Sequence, residues 1–178
     1  MERISVVGNT GSGKTTLARQ LSERLEFPLL EPDSVMHQTD WTPLAEDDFR
    51  QRITMFMEAH SYWIIDGNYS QVLDEVWSRA DTVVWLDPPL LRNISAVIGR
   101  TLMRLFTRRT LWNGNHEQWS NLFRLNPQKS VIAWTWRSHG ERRSQFRKAM
   151  ENPRWKHLIF IQLSDRKESS HWLQTFPV

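Results

Sequence analysis

Residues 8 to 15, Gly8-Asn9-Thr10-Gly11-Ser12-Gly13-Lys14-Thr15, leave little freedom in what the chain around them can fold into. Glycines at 8, 11 and 13 let backbone N–H groups converge on one point, where a Cβ would block the turn or the approach of a ligand. The spacing G-x-x-x-x-G-K-[ST] is that of a phosphate-binding loop, which needs a buried strand leading in and a helix leading out. The flanks supply both. Arg3 to Gly8 is a short apolar run with Ile4, Val6 and Val7, and Lys14 to Leu25 places Leu17, Ala18, Leu21 and Leu25 on one helical face. That helix would aim its free N–H groups and positive end at the same anion. Lys14 would reach the β- and γ-phosphates of a nucleoside triphosphate, and the Thr15 hydroxyl would ligate Mg2+.

The remainder alternates strand and helix. The residues predict strands over 27–30, 62–69 (interrupted by Gly67), 82–89 and 157–163. They predict helices from Pro43 (behind Thr42 as cap), over 70–79, 90–109, 129–150 (with Gly140 as a weak point) and 166–176. The helix from Pro43 would carry Glu46, Asp47 and Asp48 near its start and bury Phe49, Ile53, Phe56 and Met57. Residues 33–42 read as irregular, and 110–128 as a polar, mobile segment. Such alternation implies an α/β fold, a parallel sheet covered on both faces. With 178 residues and neither linker nor repeat, a single domain over 1–178 is expected.

Composition narrows the setting. Cysteine is absent, which excludes disulfides and thiolate metal sites. The N-terminus lacks the pattern of a signal peptide, and no apolar run approaches the roughly 18 residues of a membrane span. A soluble cytoplasmic protein, monomer or homodimer, is the expectation. Core packing would account for most of the ten Trp. The net charge of +3 hides an asymmetry: Arg92 to Lys148 holds 12 Lys and Arg against two Asp and Glu. That third wants an anion, whether small-molecule phosphates, nucleic acid or counter-ions.

Chemistry at a phosphate loop needs a carboxylate on the metal side. Asp66 and Asp87 both end apolar strands; Asp66 is favoured because Gly67 frees the adjoining backbone, and Asp87 before two prolines reads as a helix cap. Asp33 follows the second strand, at the carboxyl edge where open α/β sheets bind ligands. There it would either accept a proton from an attacking hydroxyl or serve as a turn residue. Trp41, Asn68 and Tyr69 are candidates to line an acceptor pocket; the lone His37 is given no role. Arg100, Arg104 and Arg108 recur every fourth residue along one helix face, with Arg92 two turns earlier on the same stripe. An arginine-bearing lid would neutralise a transferring phosphoryl group and exclude water. Several of Arg142, Arg143, Arg147 and Lys148 read instead as solvated charge.

Residues 8–16, EPDSVMHQTDWTP (31–43), WIIDGNYS (63–70) and ADTVVWLDPP (80–89) together resemble P-loop kinases of the adenylate kinase type. Within them the chain looks most like the adenylate kinase-related proteins labelled DNA topology modulation (FlaR-related). The resemblance implies a three-layer fold with five parallel strands in the order 2-3-1-4-5 and an Arg-rich helical lid at roughly 104–140. It implies ATP and Mg2+ as ligands, ATP being held by Gly8, Asn9, Thr10, Gly11, Ser12, Gly13, Lys14, Thr15 and Thr16, and the metal by Thr15 and Asp66. It puts Arg104 near the adenine, Arg108 and Arg137 on the phosphates, and Ser164, Asp165 and Arg166 near the base. One departure bears on the acceptor. Adenylate kinases carry Asp-Gly-Phe-Pro-Arg where this chain has Asp66-Gly67-Asn68-Tyr69-Ser70, so the arginine that grips AMP is missing. The leading expectation is an ATP-dependent kinase acting on a nucleotide, nucleoside or small hydroxylated metabolite. A nucleic-acid-associated P-loop protein and a slow regulatory ATPase are the alternatives.

Overall fold

The structure, a computed structural model, describes residues 1–107, 112–115 and 131–176. Five parallel strands form one sheet in the order β2-β3-β1-β4-β5: β1 Arg3–Gly8, β2 Leu29–Leu30, β3 Trp63–Asp66, β4 Thr82–Leu86 and β5 Ile159–Leu163. The order is the one the resemblance implies. β1 is central, with Val6 paired to Asp66 on one side and Gly8 to Leu86 on the other.

Helices cover both faces, because strand side chains alternate and the central strands are apolar or small on both faces apart from Arg3 at one end and Asp66 at the other. Ile4, Val6, Ile64 and Val84 pack against Leu17, Ala18 and Leu21 of α1 (Lys14–Leu25) and against Trp172 and Leu173 of α7 (Arg166–Gln174). On the other face, Val7, Trp63, Ile65, Val83 and Trp85 meet α3 (Glu46–Ala59), α4 (Leu73–Arg79) and the end of α6 (Val131–Glu151) through Phe49, Ile53, Trp77 and Phe146. α5 (Leu90–Thr107) lies against α6. No helix among the described residues is long and apolar enough to cross a membrane.

Several expectations needed correction. Residues 33–42 are not irregular: Pro32–Met36 forms a short helix, α2, and Thr39–Trp41 a 3-10 turn. Pro43 does not start a helix. It bridges to His37, and α3 begins at Glu46 behind Ala45, which offers no side-chain cap. Its start is instead stabilised by Glu46, Asp47 and Asp48 in the first turn. α6 runs through Gly140. Core packing claims fewer Trp than expected: Trp63, Trp77, Trp85 and Trp155 are buried, while Trp134 and Trp136 are exposed. Most of 110–128 and of the lid region lies outside the described residues, and so does Arg108.

Candidate active site

The carboxyl ends of the parallel strands share one edge of the sheet, and the loops leaving it build the site. The loop after β1 is pinned by its glycines. Gly8 and Gly11 have φ of +154° and +80°, and a Cβ would lie 2.7 Å from the Leu86 carbonyl oxygen at the first and 2.5 Å from that of Asn93 at the second. The loop therefore lies flat on β4 and α5. Gly13 starts α1 with no side-chain cap, and no acidic residue stands in its first turn. The protein leaves the positive end of α1 uncompensated, as an anion site requires.

Behind the loop, the Thr15 hydroxyl donates to Asp66 Oδ2 at 2.5 Å. Asp66 is buried, and its Oδ1 has no hydrogen-bond partner among the described residues. Burial pushes its pKa up, while Lys14 and the Thr15 hydroxyl pull it back. A buried carboxylate oxygen without a donor, beside a hydroxyl, is a hard oxygen pair that fits Mg2+. No cluster of three or more His, Asp or Glu among the described residues could hold a metal alone. A cation here would complete its shell with phosphate oxygens and water. Asp87 is not a cap: it is buried and accepts hydrogen bonds from Arg143 Nε and Gln162 Nε2, both at 2.8 Å.

Two cavities flank the loop. One, of about 540 Å3, lies over Gly11, Gly13 and Thr16 and is walled by Arg92, Asp165 and Arg166. Asp165 and Arg166 thus lie where a nucleoside leaving the loop would extend. The second, of about 560 Å3, brings together Lys14, Asp33, Asn68 and Tyr69. Tyr69 donates its hydroxyl to Asp33 Oδ1 at 2.5 Å. Burial, the Asp33 charge and that hydrogen bond all raise the Tyr69 pKa, so the phenol stays a donor at neutral pH. Arg142 enters from α6, half-buried, with Nη1 3.4 Å from the Asn68 carbonyl oxygen. Burial holds its pKa below the ordinary arginine value, although Glu141 opposes the shift.

Other candidates fall elsewhere. Trp41 lines neither cavity: its ring meets that of His37 edge-on at 5.3 Å, and its backbone N–H donates to Asn115 Oδ1 at 2.9 Å. Arg104 is half-buried on α5 and lines neither cavity. Arg137 is exposed and pairs with Glu141 at 3.9 Å. Asn9 turns its side chain into the protein, so that only its backbone is left as a nucleotide contact.

Five contributors were missed. Arg142 was grouped with solvated charge, yet it precedes buried Phe146 by one turn, which places it on the inward face of α6. Its neighbour Arg143 is likewise engaged, with Asp87. His37 lines the second cavity. Asn113 and Asn115, within the polar segment, clasp the α2 region: Asn113 Nδ2 donates to the carbonyls of Ser34 (3.1 Å) and His37 (2.5 Å), and Asn115 Nδ2 to that of Gln38 (2.9 Å). No local pattern marks these two.

No family model matches the chain. Shikimate kinases of Synechococcus elongatus and of a Synechococcus species are each 27% identical to it over 137 residues, covering 66% of this chain and 72% of theirs. Among solved structures, a shikimate kinase from Acinetobacter baumannii in complex with shikimate aligns over 98% of this chain and 90% of its own, with TM-score 0.57 and 17% identity. A gluconokinase from Sinorhizobium meliloti aligns over 98% and 92%, with TM-score 0.50 and 16% identity. The chain has the fold of the P-loop kinases. The sequence likeness is to shikimate kinases; it shows neither the adenylate kinase type nor a relation to DNA topology modulation proteins.

Proposed function

We propose that the chain is a kinase that transfers the γ-phosphoryl group of ATP to a hydroxyl of a small, polar acceptor bearing an anionic group. The observation that carries this is the pair of cavities meeting at one phosphate loop, with a carboxylate and two cations, Asp33, Lys14 and Arg142, converging in the second. A hydrolase needs only the first.

The base and ribose of ATP would occupy the cavity beside Arg92, Asp165 and Arg166, and the phosphates the loop and the N-terminus of α1. Lys14 would hold the β- and γ-phosphates. Thr15 and Asp66 would hold Mg2+, which would supply positive charge to offset the negative charge developing on the transferring phosphoryl group. Tyr69 fixes the Asp33 carboxylate, which would orient the acceptor hydroxyl and take its proton as that oxygen bonds to the γ-phosphorus. The bond to the bridging oxygen breaks, and ADP leaves with the electron pair. Arg142 would face the acceptor's anionic group.

The missing AMP-gripping arginine, with Ser70 in its place, argues against a nucleoside monophosphate acceptor. The likeness to shikimate kinases favours a hydroxylated carboxylic acid. The test is ADP release from ATP and Mg2+ across shikimate, gluconate, other sugar acids, nucleosides and nucleoside monophosphates, with Lys14→Ala as blank. Stimulation by a hydroxy acid, abolished in the blank, is expected. Stimulation by AMP alone would overturn the acceptor assignment, and none by any acceptor would overturn the kinase.

A further inference from the structure

We propose that Asn9 is a positioning residue that ties the phosphate loop to α6, so that nucleotide in the loop sets the place of Arg142 on the acceptor side. This rests on reading the two cavities as donor and acceptor sites. Asn9 occupies a position that the loop motif leaves open to any residue. The residue is 5% exposed, and its side chain is directed into the protein. Nδ2 donates to the Thr135 carbonyl at 2.9 Å, and Oδ1 accepts from the Thr10 N–H at 2.9 Å. The Ser138 hydroxyl lies 2.9 Å from the same Oδ1 and 2.7 Å from the Trp134 carbonyl, sharing its one proton between them. Both ends of the amide are thus used, in a buried setting where an unmade bond is costly.

The geometry of α6 carries this contact to the acceptor. Thr135, Ser138 and Arg142 stand at i, i+3 and i+7, so one helix face meets Asn9 and presents Arg142 to the second cavity. Thr135 and Ser138 are buried on that face. The loop itself is a firm reference, since Gly8 and Gly11 lie in contact with the backbones of β4 and α5. Other ties hold α6 from outside the loop: Arg143 on Asp87, and His139 facing Asn93 at 3.4 Å. Asn9 adds a link that runs through the phosphate site. A ligand that orders the loop orders α6 through it, and by reciprocity an acceptor held by Arg142 tightens nucleotide binding by the same factor.

The test is amide hydrogen exchange of the full chain with and without ADP, in the wild type, Asn9→Ala and Asn9→Ser, each first shown to be folded by circular dichroism. In the wild type, ADP slows exchange in residues 10–17 and, by about fivefold or more, in the described stretch of α6 around residues 135–145. In Asn9→Ala the response persists at the loop and falls below about twofold in α6. A purely structural role would leave the ratio of the two responses unchanged. An α6 that does not respond in the wild type, or responds fully in Asn9→Ala, overturns the proposal. Should Asn9→Ala not fold, Asn9→Ser decides, since its short hydroxyl can still cap the Thr10 N–H but does not span to the Thr135 carbonyl: a reduced α6 response supports the link and an undiminished one refutes it. The readout uses neither acceptor nor turnover. A chain that binds ADP but phosphorylates nothing sinks the proposed function and leaves this inference decided, whereas absence of loop protection by ADP in the wild type overturns both.

Discussion

Gly11→Ala and Gly140→Ala are the same chemical change with opposite expected outcomes. At Gly11, with φ at +80°, an added Cβ would lie 2.5 Å from the Asn93 carbonyl oxygen and 2.8 Å from Val97 Cγ2. The left-handed backbone costs an alanine about 1–2 kcal/mol. Forcing a methyl into a packed site adds about 1–3 kcal/mol. The total of about 2–5 kcal/mol is a large part of a domain stability of about 5–15 kcal/mol. With a urea slope of about 2 kcal/mol/M, the unfolding midpoint falls by about 1–2.5 M. Gly140 is inside α6, and an added Cβ meets nothing within 4 Å. Alanine there gains about 0.5–1 kcal/mol of helix propensity, which raises the midpoint by about 0.3–0.5 M. Urea unfolding followed by tryptophan fluorescence, paired with calorimetric titration of ADP, reads both effects. Gly11→Ala loses stability and ADP binding; Gly140→Ala gains stability and keeps its affinity. A Gly11→Ala chain with wild-type midpoint and ADP affinity would refute the packing of the loop against α5.

Tyr69→Phe removes the donor that fixes Asp33; at about 1–1.5 kcal/mol for the lost bond, kcat is expected to fall about tenfold, with the KM for ATP unchanged. An equal loss in ATP affinity would place Tyr69 on the wrong side of the loop. Asn113→Ala with Asn115→Ala undoes the clasp on the α2 region, so amide exchange at residues 38–41 accelerates; unchanged exchange would show that the clasp does not hold that segment. Burial raises the Asp81 pKa, but hydrogen bonds from the Thr82 hydroxyl and the Arg3 and Glu2 amides outweigh it and leave it lowered. Its stabilising contribution is therefore complete above the ordinary aspartate value and is lost as pH falls below that value through the folded-state pKa. Acid unfolding of Asp81→Asn should lack that component; identical acid limbs in the two proteins would contradict it.

What the sequence disclosed follows from how local each requirement is. The loop from Gly8 to Thr15 was legible because a converging backbone demands glycine at fixed positions. Its strand and helix were legible because their apolar periods are 2 and 3.6. Asp33 and Asp66 could be placed because one follows a strand and the other ends one, both at the sheet's carboxyl edge. Asp87 defeated the same logic. Its neighbours Pro88 and Pro89 suggested a cap, but its partners Arg143 and Gln162 lie 56 and 75 residues away. Arg142 and the Asn113–Asn115 clasp depend in the same way on which distant surface a helix or turn meets. The turn at Asp40 and Trp41, with φ of 57° and 58°, was hidden because a bulky Trp does not announce a left-handed backbone, and Asp, which adopts one more readily, does so at only a minority of its positions.

The most direct test of the account is the mass of the acceptor itself. The chain would be incubated with ATP, Mg2+ and the acceptor that most stimulates ADP release, and the products resolved by mass spectrometry. The account predicts an acceptor heavier by one phosphoryl group, formed in step with ADP and lost with Asp33→Asn. ADP with inorganic phosphate and an unmodified acceptor would contradict it and leave a nucleotide hydrolase.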